Sequence, residues 1–328
     1  MDLLPGTNSK KIYTLLSIGQ RGVGKTVFLA GSYAELHPDN QNNNPQQLWF
    51  DCQDSDTQKI LENVLNYVAR SGEYPPATMK LTNFEFSLKQ NSLGKTQTLC
   101  HFRWWDTPGE SCKLYNPAFQ LMVLQSDGCC VFIDAQALVS NPNTDGLEDI
   151  LQPVKSIAEL VYQNGLRHPF ALILTKFDLL ASEPQIVQLL DERLQPLTSF
   201  LDDMKVNYKK FYSEIPIVSS PEGNSTIKPT QASVPVLWLV SELTKANKSA
   251  STENLASSEN LASSENLASS TTQKTPARNL SPVTKKYILL LTLVLVIGSV
   301  GVFITFLVKN AGVNSDQQLN EPKPTQQN

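Results

Sequence analysis

Residues 19–26 run Gly-Gln-Arg-Gly-Val-Gly-Lys-Thr, a glycine followed, after four residues, by Gly-Lys-Thr. That spacing suits a nucleoside triphosphate. Gly19, Gly22 and Gly24 let backbone N–H groups, that of Val23 among them, close around the α- and β-phosphates; Lys25 reaches the β/γ oxygens and Thr26 can ligate Mg²⁺. Further along, Asp106-Thr107-Pro108-Gly109 offers a carboxylate that can hold Mg²⁺ through water and an N–H, on Gly109, that can meet a γ-phosphate. Thr175-Lys176-Phe177-Asp178 carries chemistry for a base. Asp178 can accept two hydrogen bonds from the N1–H and N2 amino group of guanine while the Lys176 stem lies over the ring. Adenine supplies no such donors, and an unpaired carboxylate left desolvated against it would discriminate strongly.

Such a phosphate loop works only between a buried strand and a helix. Ile12, Leu15, Leu16 and Ile18 supply the apolar run before it, and residues 25–37 show helical spacing until Pro38. The alternative, a glycine-rich turn that binds nothing, does not account for the full match in that context. Leu48-Trp49-Phe50 reads as a short strand and 57–70 as a helix. Residues 83–88 and 98–105 read as two strands of a hairpin, the second ending in Asp106. Strands at 128–134 and 170–174 flank a helix at 147–164, and the second strand runs into Thr175. Ile215, Ile217 and Val218 form the last expected strand, ending in Ser219-Ser220 before a helix near 232–243.

The chain has 328 residues and a formal net charge of −4, so no basic field points to nucleic acid. Its five cysteines contain no Cys-x-x-Cys and its three histidines are scattered, which favours buried thiols and structural imidazoles over a disulfide framework or a zinc site. The first residues hold no apolar stretch long enough for a cleavable signal. Residues 287–308, YILLLTLVLVIGSVGVFITFLV, carry no charge and exceed the ~20 apolar residues a transmembrane helix needs. Arg278, Lys285 and Lys286 precede this span and Lys309 follows it, an asymmetry that keeps the amino-terminal side in the cytoplasm. Between domain and span, 247–286 includes ENLASS three times in succession. A helix would send the leucines of a six-residue repeat to different faces, so no apolar stripe forms and a flexible Ser-rich tether is expected. The tail, 309–328, is polar and reads as disordered.

Taken in order, Gly19–Thr26, Asp106–Gly109, Thr175–Asp178 and Ser219-Ser220 resemble a Ras-like GTPase of the TRAFAC class over about residues 10–246. The resemblance implies an α/β fold: a mostly parallel sheet with one antiparallel edge strand, helices on both faces, and nucleotide beyond the strand carboxyl ends. It implies GTP or GDP with Mg²⁺, hydrolysis of GTP, and protein partners acting as effector and activator. Two positions depart from the family's pattern: Thr175 stands for its usual Asn, and Ser219-Ser220 for Ser-Ala, a contact made mainly by backbone. The longer spacing to Asp106 places an insertion at about 39–75, reminiscent of bacterial membrane-linked GTPases. The γ-phosphate-sensing, metal-binding threonine should precede the first hairpin strand; Thr78 is preferred and Thr57 is the competitor. The water-orienting position carries Glu110, whose charge would oppose the transition state. Arg21, where the loop is usually small, either offsets that charge or points to solvent, the second being preferred. With Lys25, Thr78, Gly109 and Glu110 as the catalytic set, slow, partner-dependent hydrolysis is expected. Two other readings stay open: a non-hydrolysing GTP-binding scaffold or receptor subunit, and an ATP-using P-loop protein, which Asp178 disfavours.

Overall fold

The computed structural model describes residues 12–39, 47–92, 94–140, 144–180, 184–221 and 223–247. The tether beyond 247, the apolar span 287–308 and the tail lie outside the described residues, as does most of the Asn/Gln-rich stretch 40–46. Among the described residues no helix is long and apolar enough to cross a membrane.

In chain order the strands are β1 (Ile12–Ile18), β2 (Leu48–Cys52), β3 (Thr82–Ser92), β4 (Lys95–Asp106), β5 (Gly128–Asp134), β6 (Phe170–Thr175), β7 (Tyr208–Tyr212), β8 (Ile217–Ser219) and β9 (Ser225–Ile227). The helices are α1 (Lys25–Glu35), α2 (Ser55–Ser71), α3 (Pro117–Gln125), α4 (Ala135–Ser140), α5 (Thr144–Gln163) and α6 (Pro184–Asp203), followed by α7 over 234–247. Seven strands form one sheet in the order β2-β3-β4-β1-β5-β6-β7; β8 and β9 form a separate antiparallel pair. From β4 to β7 all pairings are parallel, while β3 pairs antiparallel with both β2 and β4. The reversed strand is therefore β3, one place in from the edge. The expected antiparallel edge strand is corrected on this point: β2 is the edge, and it runs with the majority.

The central strands read as continuous apolar runs because both of their faces are covered. Side chains alternate across a strand, so Leu15, Cys130, Phe132, Ala171 and Ile173 enter a core shared with α1, α2 and α7. Their neighbours Leu16, Cys129, Val131, Ile133, Leu172 and Leu174 enter a second core with α3 to α6. Each fully buried Leu, Ile or Phe contributes about 1.5–3 kcal/mol. Cys129 and Cys130 point to opposite faces, both as free thiols, and burial pushes the Cys129 thiol up to about 12. His168 is also structural: its Nε2 meets the Val123 carbonyl at 3.0 Å, and burial lowers its pKa.

One strand comes out differently from the sequence reading, and helices α3 and α6 lie where none was read. The last strand of the main sheet is β7, not residues 215–218, which instead begin the small β8–β9 pair. Its sequence, Tyr-Lys-Lys-Phe-Tyr, is that of a charged edge strand with few apolar residues to mark it. Helix α6 buries Leu190, Leu194, Leu197 and Leu201 at helical spacing and carries Pro196 on its exposed face, where the lost backbone hydrogen bond faces water. Helix α3 starts at Pro117, with Asn116 accepting from the Ala118 N–H at 3.0 Å. Residues 39–75, where an insertion is expected, hold β2 and α2, and α2 opens at Asp54, whose carboxylate accepts the Thr57 N–H at 2.6 Å and the Thr57 hydroxyl at 2.5 Å.

Candidate functional site

The phosphate loop leaves β1 at Ile18 and enters α1 at Lys25. Beneath it, Phe28 of α1 packs on Trp104 of β4 and Phe132 of β5 with ring centroids 6.1 and 5.0 Å apart, which fixes the helix start on the sheet. Gly24 caps the helix in the left-handed region, φ 97°, where a side chain would be strained. The free N–H groups and positive end of the α1 dipole thus face the cavity. Lys25 is buried, and its Nζ donates to the carbonyls of Gly19 at 2.9 Å and Gln20 at 3.1 Å. Burial lowers its pKa, against the opposing pull of Cys112, Asp106 and Glu110.

Asp106 closes β4 and is fully buried. Its Oδ1 accepts from Ser17 Oγ at 3.1 Å; its Oδ2 accepts from Thr26 Oγ1 at 2.6 Å and Thr78 Oγ1 at 3.4 Å. The hydroxyls of Thr26 and Thr78 also touch. Burial pushes the Asp106 carboxyl up, while Thr26, Lys25, Ser17 and Thr78 hold it down. One buried carboxylate with two convergent hydroxyls is a hard-oxygen donor set, and a divalent cation there would offset the cost of burying the charge. The set fits Mg²⁺, which takes one or two protein oxygens plus phosphate and water. Thr57, the competitor to Thr78, is buried in the first turn of α2 and serves Asp54.

After Asp106 the chain passes over the phosphate loop. A Cβ on Gly109 would stand 2.1 Å from the backbone nitrogen of Arg21, a clash with main chain that nothing can relieve. Glu110 follows in a short 3₁₀ turn and is exposed; its Oε1 accepts from Arg21 Nη1 at 2.9 Å. The pair corrects the preferred reading of Arg21 as a side chain pointing to solvent alone.

At the other end, Thr175 Oγ1 is 2.7 Å from the Val23 carbonyl and 3.2 Å from that of Ile133. Lys176 adopts φ 58°, and its Nζ donates to Asp134 Oδ2 at 2.5 Å, holding its stem across the turn that carries Asp178. Asp134 also caps α4 through the Ala137 N–H. The strap that carries Thr78 begins with Tyr74, whose hydroxyl donates to the Ile215 carbonyl at 2.8 Å. Burial raises the Tyr74 pKa, and the charge of Asp178 adds to the rise.

These parts enclose one cavity of about 390 Å³, lined by Arg21–Phe28, Tyr74–Thr78, Gly109, Gln136, Thr175, Lys176, Asp178, Leu179, Ser213 and Ile215. Gly19 and Asp106 support its floor. Ser219 and Ser220 do not line it: Ser219 lies on β8 and Ser220 closes the turn beyond it. Ser213, directly after β7, lines the cavity, and its buried Oγ has no hydrogen-bond partner among the described residues. Sequence reasoning missed Ser213 and Tyr74. The available signal for Ser213 was its position one residue after the aromatic-flanked strand Tyr208–Tyr212, masked by the two lysines within it.

No protein-family model matches the chain, and no curated protein matches it. Among solved structures, the chain is similar to a chain of the signal recognition particle receptor SRb-GTP/SRX complex from Chaetomium thermophilum, at 14% identity and TM-score 0.38, over 62% of this chain and 91% of that one. It is also similar to the S. cerevisiae Ski7 GTPase-like domain, bound to GDP and inorganic phosphate, at 15% identity and TM-score 0.35, over 61% of this chain and 42% of that one. Both alignments are loose, and the functional reading rests on the site's own geometry.

Proposed function

We propose that this chain is a guanine-nucleotide-binding switch that hydrolyses GTP slowly and is held at a membrane by the span 287–308, with the nucleotide-binding domain in the cytoplasm. The observation that carries the nucleotide reading is the single cavity joining the phosphate loop, Arg21–Thr26, to Thr175, Lys176 and Asp178. Its size suits one mononucleotide.

The backbone N–H groups at Gly22–Thr26 bind the phosphates, with Lys25 turning from the Gly19 and Gln20 carbonyls to their oxygens. Thr26, Thr78 and Asp106 would hold Mg²⁺. When bound, the ion neutralises charge between the β- and γ-phosphoryl oxygens. Asp178 accepts from the guanine edge, Lys176 covers the ring, and Ser213 lines the same end. Thr78 and Gly109 sit on the two segments that a γ-phosphate would draw in and hydrolysis would release, which makes them the switch. Ser219 and Ser220 stay outside this assignment.

Glu110 is tied to Arg21 and carries a charge, so it is poorly suited to orient water, which supports a low intrinsic rate. The same ion pair favours a second reading, a GTP-binding scaffold or receptor subunit that does not hydrolyse. Equilibrium titration of the full-length chain with GDP, GTP and ATP tests the base assignment, with preference for guanine expected; equal ATP and GTP affinity would overturn it. Single-turnover phosphate release from the GTP complex separates the switch from the scaffold. The membrane proposal predicts that the chain partitions with lipid vesicles and that deletion of 287–308 abolishes this.

A further inference from the structure

Two cationic side chains, Lys25 and Arg21, belong to the loop at the phosphate end of the cavity. Lys25, in the first turn of α1, lines the cavity with its Nζ on the Gly19 and Gln20 carbonyls. Arg21, earlier in the loop, lines the same cavity beside Gly109. Its Nη1 is engaged by Glu110 Oε1. A guanidinium carries five N–H donors in a rigid fork, so one such contact leaves most of its donors to serve a second anion. Gly109 lies directly on the Arg21 backbone, which brings Glu110 beside the Arg21 side chain.

We propose that Arg21 is the residue that distinguishes a nucleoside triphosphate from a diphosphate, with Glu110 as the counter-ion it exchanges for the terminal phosphoryl group. In a diphosphate complex the Arg21 charge is answered by Glu110. A third phosphoryl group arrives where the fork can turn to it, and Glu110 then competes for the same cation. The two side chains consequently act in opposite directions on triphosphate affinity, whereas a purely structural ion pair would make both losses act alike. Since both groups are more than half exposed, the effects are screened and modest.

The inference rests on the guanine-nucleotide reading of the site. The test titrates the full-length chain with a non-hydrolysable GTP analogue and with GDP, comparing wild type, Arg21→Ala, Arg21→Lys and Glu110→Gln. Arg21→Ala should weaken the triphosphate analogue about fivefold and leave GDP within about twofold, GDP serving as the control for folding. Arg21→Lys should recover part of the loss through charge without the fork. Glu110→Gln should tighten the analogue about threefold with GDP unchanged. Parallel loss in both Arg21→Ala and Glu110→Gln, equal shifts for the two nucleotides, or no shift would overturn the proposal while leaving the guanine site standing. A wild-type chain that binds neither nucleotide would instead remove the reading of the site, and the role of Arg21 with it.

Discussion

The Thr175 hydroxyl stands 2.7 Å from the Val23 carbonyl, tying the turn that carries Asp178 to the middle of the phosphate loop across 152 residues of sequence. The two halves of the cavity, proposed to read the base and to bind the phosphates, are therefore one mechanical unit. A hydroxyl has one proton, so the second acceptor, the Ile133 carbonyl at 3.2 Å, takes the weaker share. Thr175→Val keeps the shape and removes the donor. It should cost about 1–2 kcal/mol of stability and weaken GDP about tenfold, measured by thermal unfolding with and without nucleotide. A loss of stability without any change in affinity would show the tie to be structural only.

Asp178→Asn exchanges an acceptor pair for one acceptor and one donor. GTP should weaken by about two orders of magnitude, and xanthosine triphosphate, whose edge offers an acceptor, should gain. Competition titration with the four common triphosphates and XTP checks this, and unchanged GTP affinity removes Asp178 from the site.

Ser213 and Ser219 separate the observed site from the expected one. Ser213→Val enlarges a side chain of the cavity lining and should weaken GDP by about tenfold, whereas Ser219→Ala, on β8, should change it by less than twofold. The reverse ranking in the same binding assay would restore Ser219-Ser220 to the base.

Asp106 bears on pH. Its folded-state pKa is raised, so it contributes most to stability while protonated, and that contribution is lost as pH rises through the folded value. Without nucleotide and Mg²⁺, Asp106→Asn should raise the melting temperature at pH 8, and the gain should shrink as pH falls through the raised folded value toward the ordinary carboxylate range. The same variant should lose Mg²⁺-dependent nucleotide binding. A gain independent of pH would mean that the buried charge is not its source.

Much of this was legible in the sequence because it is local. Gly19–Thr26 must sit between strand and helix, and the alternation at Leu15-Leu16 and Cys129-Cys130 follows from strands covered on both faces. The choice of Thr78 over Thr57 followed from its place before β3, and the structure brings Thr78 to Asp106 while Thr57 serves a helix cap. Asp54, Thr57 and the α2 cap are local too, yet their role as a cap rather than a ligand showed only in hydrogen bonds.

What the tertiary structure alone decided concerns partners distant in sequence. The pairing of β7 beside β6 brought Ser213 to the cavity and left Ser219-Ser220 on a separate sheet, since a lysine-rich edge strand carries little apolar signal. The close passage of Gly109 over Arg21 turned two isolated charges, 89 residues apart, into an ion pair. Residue types and spacing determined which ligand chemistry this chain is equipped for; only packing decided which side chains face that ligand, because a strand's neighbours and a loop's path depend on the whole sheet rather than on the segment itself.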